Sequence, residues 1–401
     1  MMKLTKAAIS LAAISILASC KDQEFVPLDC KVYDSLIFER TVTFNMMVQD
    51  VMAQYGSHAG NYGELKGLLE EGKAAAKNYT LYGIRYRTTD HEGKPVLASG
   101  LVYYPETTHI EGVIEIVPVT KNRLSVGTVN RSIPEAIAGC TGYIIIASDL
   151  LGCGASEDYP ICYLQHDLVA KNAADMRKAA YEFLYNKRYT RLGNKDYLFG
   201  YSLGGSGVLA LARFYAKHPE YRVKIKELWL GAGAYDPCET LDLIVAKRSD
   251  PSLMLPNILW SLNQYDSLGL DFNSILTGKM KEHYEELITG NVSTDSLRKD
   301  YGPAMDDYLN MDFFAEDSED WQRCREVLRR KAVPIDFKPD YPIVIYHSED
   351  DETIPVALSD TLNRHLLDVG AEVYYQRLKG SHHLIGFKIE GDLARHLHDF
   401  K

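Results

Sequence analysis

Short apolar runs alternate with longer amphipathic segments along most of this chain. Val113 to Val117 and Tyr143 to Ala147 are continuous apolar runs of strand length, which suits strands buried on both faces of a parallel sheet. Between Gln165 and Lys187, apolar positions fall on one stripe at helical spacing, so we predict a helix there. This alternation predicts an α/β fold with a doubly wound, mostly parallel sheet.

The segments on either side extend this pattern. Tyr79 to Thr88 and Val96 to Tyr104 are β-rich runs around the turn Asp90-His91-Glu92-Gly93, which predicts a hairpin. Residues 25–75, which come before the hairpin, are predicted to form a mainly helical lead-in. Further strands are predicted at Glu227 to Leu230, Ile343 to Tyr346 and Glu372 to Leu378, with helices from about Pro355 to Val369 and after the last strand.

The alternation stops between Pro237 and about Pro334. This segment is rich in aromatic residues, Met and Leu, has Pro and Gly breaks and shows no strand pattern, so we predict a helical cap inserted into the sheet domain. The predicted organisation is a signal peptide (1–19), a tether and lead-in (20–78), the first part of the core (79–236), the cap (237–334) and the second part of the core (335–401).

The N-terminus predicts export from the cytoplasm. Lys3 and Lys6 precede an apolar run from Ala7 to Leu17, which is too short to span a bilayer as a stable helix. The run ends in Leu17-Ala18-Ser19-Cys20, which resembles a bacterial lipoprotein signal that is cut before a lipidated Cys20. We therefore expect an outer-membrane lipoprotein of the bacterial cell envelope that contacts the membrane through its lipid anchor. A plain secretory signal cleaved near Cys20 is the alternative, and the face of the membrane stays open.

Composition narrows the possible partners. The 401 residues carry a formal net charge of −11 with no basic run, which argues against nucleic acid as a partner. Six of the seven cysteines follow Cys20, and an exported protein can form disulfides. The sequence does not choose among the pairings, although Cys153 and Cys162 could close one loop. No Cys-x-x-Cys or His-x-x-x-His spacing is present, so we expect no metal.

The strongest chemical signal is Gly200-Tyr201-Ser202-Leu203-Gly204. An apolar strand precedes it and a helix is predicted from about Gly205 to Lys217. A Gly-x-Ser-x-Gly between a strand and a helix is the nucleophile elbow of an α/β-hydrolase, in which a sharp turn lifts the serine hydroxyl clear of the sheet. Ser202 is the predicted nucleophile.

A serine hydroxyl needs a base and an acid, which follow it in this order of the chain: serine, acid, histidine. The turn from His347 to Pro355 follows a late strand and contains four acidic residues. Aligning its ends with the usual His-Gly-x-x-Asp-x-x-Val-Pro places the acid at Asp351, with Asp350 as the alternative.

Two histidines compete for the base. They lie in Gly380-Ser381-His382-His383-Leu384, after the last predicted strand. The common Gly-x-x-His spacing favours His383, and His382 remains the alternative.

An oxyanion hole needs two backbone N–H groups. The first is expected from Leu203, the residue after the nucleophile. The second is expected from the loop after Val117. Because Pro118 has no N–H group, the choice there is Val119 or Thr120, and we choose Thr120.

Two further stretches resemble the secretory lipase family of the fungal lipase A type. The first is Tyr82 to Pro105, which contains Gly-Ile-Arg-Tyr-Arg-Thr-Thr-Asp at residues 83–90. The second is Gly142 to Gly154. The likeness covers roughly residues 80–235 and 340–400. It implies an α/β-hydrolase core with a late helical lid and action on carboxylic esters without a cofactor. The family's base is often followed by Leu, which supports His383. The chain departs from the family in lacking His-Gly after the third strand and in its double histidine.

Together these features predict a serine carboxylic-ester hydrolase, an esterase or lipase, that acts on a small-molecule ester through an acyl-enzyme. A serine peptidase, or an esterase for acetyl or feruloyl groups on polysaccharide, would use the same triad. A non-catalytic binding lipoprotein is the rival from another class. The oligomeric state does not follow from the sequence.

Overall fold

A computed structural model describes residues 31–55, 67, 70, 73, 77–119, 137, 139, 141–189, 192–288 and 301–397. The predicted signal peptide, the predicted lipidation site Cys20 and the candidate oxyanion residue Thr120 lie outside these residues.

One sheet organises the described residues. Its nine strands follow the spatial order β1-β2-β3-β5-β4-β6-β7-β8-β9. The pairs β1–β2, β2–β3 and β3–β5 are antiparallel. The remaining pairs, from β5–β4 to β8–β9 in the spatial order, are parallel. This is the α/β-hydrolase type of mostly parallel sheet that the pattern predicts. The strands are β1 Tyr33–Val42, β2 Tyr79–Thr89, β3 Pro95–Pro105, β4 Gly112–Val117, β5 Ile144–Ser148, β6 Lys195–Tyr201, β7 Ile225–Gly231, β8 Ile343–Ser348 and β9 Val373–Leu378.

Helices cover both faces of the sheet. One face carries α2, α3 and α9, and the other carries α1 and α10. The helices are α1 Phe44–Tyr55, α2 His166–Asn186, α3 Leu203–Lys217, α4 Pro237–Lys247, α5 Leu255–Tyr265, α6 Phe272–Ile275, α7 Gly278–Ile288, α8 Glu319–Arg330, α9 Ala357–Asp368 and α10 His382–Leu397. Short 3-10 turns occupy Gly154–Ser156, Pro219–Tyr221, Met305–Asp307 and Met311–Phe314.

The two central strands β4 and β5 are buried along their whole length, as expected for apolar runs covered by helices on both sides. Glu115 is the charged exception within β4. Its carboxylate pairs with Arg177 of α2, which also binds Asp196 at 2.8 Å, and accepts a hydrogen bond from Tyr215 at 2.7 Å. A buried carboxylate is tolerated only with such partners, so this network fixes α2 and α3 on the sheet.

Strand β1 corrects the prediction of a mainly helical lead-in. Tyr33–Val42 pairs antiparallel with β2 along its length, and Asp34 accepts a hydrogen bond from Arg85 at 2.8 Å. The strand contains Ile37-Phe38 and Thr41-Val42, which are residue types that favour strands. An edge strand depends on its partner, however, and β2 lies some 40 residues further along the chain. Local pattern therefore did not identify it.

Helices α4 to α8 lie between β7 and β8 in the chain. Between residues 237 and 334, the described residues form no strand, only two isolated bridges. Helix α5 is hydrogen-bonded to the loop before α2: Ser261 donates to the carbonyl of Tyr163 at 3.1 Å and Tyr265 to that of Pro160 at 2.6 Å. Within the described ranges, no helix combines the length and apolarity needed to cross a bilayer.

Candidate active site

Ser202 occupies a strained turn between β6 and α3. Its backbone angles, φ 56° and ψ −126°, lie in a region that residues with a side chain rarely adopt. Two main-chain hydrogen bonds hold this conformation: Ser202 N–H donates to the carbonyl of Gly231 at 2.8 Å, and its own carbonyl accepts from Gly205 at 2.8 Å. This is the sharp strand-to-helix turn that lifts a serine hydroxyl off a sheet.

The two glycines of the motif allow the backbone to pack this tightly. A Cβ at Gly200 would lie 2.0 Å from the carbonyl oxygen of Gly204, and a Cβ at Gly204 would lie 2.2 Å from that of Val117. The elbow is therefore pressed against the carboxyl end of β4. That contact brings the loop after β4 beside Ser202, where a second oxyanion donor is needed.

Asp351 lies in the turn after β8 and both of its carboxylate oxygens are occupied. Oδ1 accepts the backbone N–H groups of Thr353 at 2.8 Å and Ile354 at 2.7 Å. Oδ2 lies 2.6 Å from Nδ1 of His382 and 3.3 Å from Nε2 of His347. Burial favours a raised pKa, but the hydrogen bonds from His347 and His382 outweigh it and hold the pKa of Asp351 well below its usual range.

Asp350, the alternative acid, is exposed. Its contacts are with the backbone N–H of Gly380 at 3.4 Å and with the Lys379 ammonium at 3.6 Å. The structure therefore brings Asp351, and not Asp350, to a histidine ring.

The hydrogen bonds determine the tautomers of the two histidines on Asp351. A carboxylate can only accept, so Nδ1 of His382 carries the proton and its Nε2 is left able to take one. His347 is completely buried, and its Nε2 donates to the carbonyl of Ile354 at 2.8 Å. Its Nδ1 then accepts from the hydroxyl of Ser359 at 2.7 Å. His382 thus has the tautomer of a general base, and His347 fixes the acid turn.

The structure brings His382, the alternative base, to Asp351, whereas the spacing favours His383. The spacing argument counts residues from Gly380 and does not consider that helix α10 begins at His382. As the first helical residue, His382 turns its ring back onto the end of β8. His383 is the second residue of α10, and its side chain lies outside the described set.

Tyr201 links the elbow to the histidine. It is the last residue of β6, directly before Ser202, and its hydroxyl donates to the main-chain carbonyl of His382. The two rings lie 4.9 Å apart between centroids. No sequence signal marked this residue, because the middle positions of Gly-x-Ser-x-Gly accept many side chains.

Of the two predicted oxyanion donors, the structure describes Leu203 but not Thr120. Leu203 is the first residue of α3, where N–H groups have no partner within the helix and point beyond its N-terminus. Val119 is the last described residue of the loop after β4, which leaves Thr120 as an untested prediction. The main chain of Pro118 lies against the elbow, since a Cβ at Gly204 would be 3.0 Å from its carbonyl oxygen.

The sequence left a disulfide between Cys153 and Cys162 open, and the structure does not form it. Cys162 is a buried thiol, and burial raises its pKa to about 12. Such a thiol is chemically inert at neutral pH. The described residues also contain no group of three or more His, Cys, Asp or Glu side chains placed to hold a metal ion.

His166 is the first residue of α2 and is buried against the main chain of Lys331. Its Nδ1 donates to the carbonyl of Lys331 at 2.7 Å, while its Nε2 is buried without a hydrogen-bond partner. Burial lowers the pKa of His166 to about 4. It is therefore a neutral structural histidine at neutral pH.

No protein-family model and no curated protein sequence matches the chain. Solved structures do match over most of its length. An inferred hydrolase from Legionella pneumophila is 21% identical, with a TM-score of 0.77 over 92% of this chain and 98% of that one. The rice cell wall degrading esterase LipA from Xanthomonas oryzae is 20% identical, with a TM-score of 0.69 over 90% and 97%.

Candida antarctica lipase A is more distant, at 14% identity and a TM-score of 0.59 over 88% of this chain and 80% of that one. At these identities the likeness establishes a common fold. The chemistry of this chain has to be argued from its own residues.

Proposed function

We propose that this protein is a serine hydrolase that cleaves carboxylic esters, with Ser202 as nucleophile, His382 as general base and Asp351 as the acid that orients it. The observation that carries the proposal is the hydrogen bond between Asp351 and His382. A second hydrogen bond joins the main chain of His382 to Tyr201, the residue directly before Ser202. The proposal assigns the triad to three separate parts of the chain, in the order serine, acid and histidine that an α/β-hydrolase uses.

In the proposed reaction, the hydroxyl oxygen of Ser202 attacks the carbonyl carbon of the ester while its proton passes to Nε2 of His382. The electron pair of the C=O bond moves to oxygen and forms an oxyanion. The imidazolium then gives its proton to the leaving alkoxide, which departs as an alcohol. Water attacks the acyl-enzyme in the same way, releasing the acid and restoring Ser202.

Asp351 contributes charge and geometry. Its carboxylate stays ionised, since hydrogen bonds hold its pKa low, and so it stabilises the imidazolium that forms during the reaction. The N–H of Leu203, together with one from the loop after β4, is proposed to hold the oxyanion.

The strained backbone at Ser202 is evidence that this residue is a nucleophile and not part of an ordinary turn. Backbone angles like those of Ser202 cost about 1–3 kcal/mol and persist only where the surroundings enforce them. Here two hydrogen bonds and two close backbone contacts enforce them. An idle site would not need this arrangement.

The proposal is tested by the hydrolysis of p-nitrophenyl acetate by the purified protein. Ser202→Ala should lower kcat by at least about 10³-fold without lowering the melting temperature much. Ser206→Ala is the matched control, because Ser206 is a buried serine of the helix that follows Ser202, and its hydroxyl donates to the carbonyl of Leu203 at 3.0 Å. Equal activity in wild type and Ser202→Ala would reject the site.

The same assay separates the ester classes. A general esterase is expected to prefer acetyl esters, a polysaccharide esterase acetyl or feruloyl esters, and a lipase long-chain acyl esters. An aminoacyl amide is included to detect a peptidase. Cleavage of the amide in preference to every ester would replace the esterase by a peptidase on the same triad.

We also propose that Cys20 carries a lipid that holds the protein on the bacterial outer membrane. The support is the signal pattern that ends in Leu17-Ala18-Ser19-Cys20. Cys20→Ser should move the protein from the detergent phase to the aqueous phase in a detergent-partition experiment. An unchanged distribution would contradict the anchor.

A further inference from the structure

Tyr201 is joined to both residues that exchange a proton in the proposed reaction. It directly precedes Ser202 in the chain, and its hydroxyl donates to the carbonyl oxygen of His382. The helical pattern of α10 directs the N–H of Gly386 to this same carbonyl, which has two lone pairs and can accept both. The phenol therefore adds a tie from the sheet to the first turn of α10.

The Tyr201 ring has little room to move, because glycines lie on two sides of it. A Cβ at Gly231 would lie 2.3 Å from Cδ2 of the ring, and a Cβ at Gly386 would lie 3.0 Å from Cε1. Gly231 belongs to β7 and Gly386 to α10, so the ring is enclosed by the neighbouring strand and by the helix that carries the base. Tyr201 is only 5% exposed.

A second tie acts on the other main-chain group of the same histidine. The backbone N–H of His382 donates to Oε2 of Glu352 at 3.2 Å. Glu352 is exposed, so this bond is weakened by competition with water. The buried bond from Tyr201 is therefore the stronger constraint on the main chain of His382.

We infer that Tyr201 is a positioning residue, which holds the main chain of His382 so that its ring stays within proton-transfer distance of Ser202. The inference rests on the proposed function. A general base must lie within about 2.6–3.2 Å of the proton it removes, and a displacement of about 1 Å can cost about 100-fold in rate. Asp351 fixes the orientation of the ring through Nδ1, and Tyr201 fixes where the ring is attached.

The test compares two tyrosines that each bond α10 from the same face of the sheet. Tyr201→Phe keeps the ring and removes the hydroxyl. Tyr346→Phe is the matched control: Tyr346 is 3% exposed and its hydroxyl donates to Oδ2 of Asp392 at 2.9 Å, far along the helix from His382.

For Tyr201→Phe we expect kcat on p-nitrophenyl acetate to fall about tenfold, the effect of losing one buried hydrogen bond, while KM changes by less than about twofold. The rate at which a p-nitrophenyl alkylphosphonate labels Ser202 should fall by the same factor, since that attack needs the same base. Tyr346→Phe should leave both rates within about twofold of wild type, although it loses a similar hydrogen bond.

Three results would overturn the inference: an unchanged kcat in Tyr201→Phe, an effect on KM alone, or an equal loss in Tyr346→Phe. If the proposed function itself is wrong, the same experiments give a different result. In that case wild-type protein neither hydrolyses the ester nor is labelled at Ser202, and the role of Tyr201 falls with it.

Discussion

Oδ2 of Asp351 lies 2.6 Å from Nδ1 of His382, and the other oxygen of the same carboxylate accepts two backbone N–H groups. The carboxylate is thus held by its own turn and cannot rotate away from the imidazole. This relationship makes the acid turn after β8 and the start of α10 one unit.

Asp351→Asn should lower kcat about 10³- to 10⁴-fold with little change in KM. The amide can donate to Nδ1 of His382, which places the ring proton on Nε2 and removes the basic nitrogen from Ser202. Steady-state hydrolysis of p-nitrophenyl acetate measures the loss. Asp350→Asn is the control and should stay within about twofold of wild type; the opposite order of effects would move the acid to Asp350.

His382→Ala should lower kcat at least about 10³-fold, since it removes the ring that Asp351 orients. His383→Ala should retain most of the activity, because it leaves the bond between Asp351 and His382 in place. Both variants are compared at equal folded concentration, judged by circular dichroism. If His383→Ala were the inactive variant, the base assigned from spacing would be right and the present assignment wrong.

Ser202→Gly should abolish hydrolysis and at the same time stabilise the fold. Glycine adopts positive φ angles at little cost, so the substitution relieves backbone strain of about 1–3 kcal/mol, less the entropy that glycine adds to the unfolded chain. Urea unfolding measures the gain. Ser202→Ala is the comparison and should bring no such gain, since alanine keeps the strained backbone; equal stability of the two variants would show that the elbow stores no strain.

His166 should make the protein less stable in mild acid. Its pKa is about 4 in the folded protein, because of burial, and about 6.5 in an unfolded chain. Between these values the unfolded state binds more protons, so the free energy of unfolding rises with pH through the window and no longer changes above about pH 6.5. A shift of this size corresponds to roughly 3 kcal/mol.

His166→Gln keeps a donor for the carbonyl of Lys331 but does not titrate. Urea unfolding at pH values from about 4 to 7 should show a weaker fall of stability towards acid in this variant than in wild type. Parallel curves for the two proteins would contradict the assignment of the titration to His166.

Arg177→Ala should lower the free energy of unfolding by about 3–5 kcal/mol, because the buried carboxylate of Glu115 and the half-buried one of Asp196 would lose their cation. Arg330→Ala at the end of α8 is the control. Its pair with Glu326 spans one helical turn at 3.3 Å between two exposed side chains and should contribute about 0–1 kcal/mol. Equal effects in denaturant unfolding would show that burial does not matter for these pairs.

Local chemistry made part of this architecture predictable. The strands β4 and β5 are apolar throughout because helices cover both faces, and the elbow has Gly200 and Gly204 because the backbone approaches itself there. Such requirements act within a few residues, and the sequence expresses them directly.

Features that depend on distant partners could not be predicted in the same way. Strand β1 exists through its pairing with β2, and the choice between His382 and His383 depends on which residue begins α10 beside Asp351. The tie from Tyr201 joins residues that are 181 positions apart. Spacing within a motif does not contain this information.

Gly231 meets two demands at once: its carbonyl receives the N–H of Ser202, and its missing side chain admits the ring of Tyr201. Divergence in natural relatives should therefore be linked at these positions. A larger residue at 231 should occur only together with a smaller one at 201, so that an evolutionary alignment would show the two columns changing as a pair.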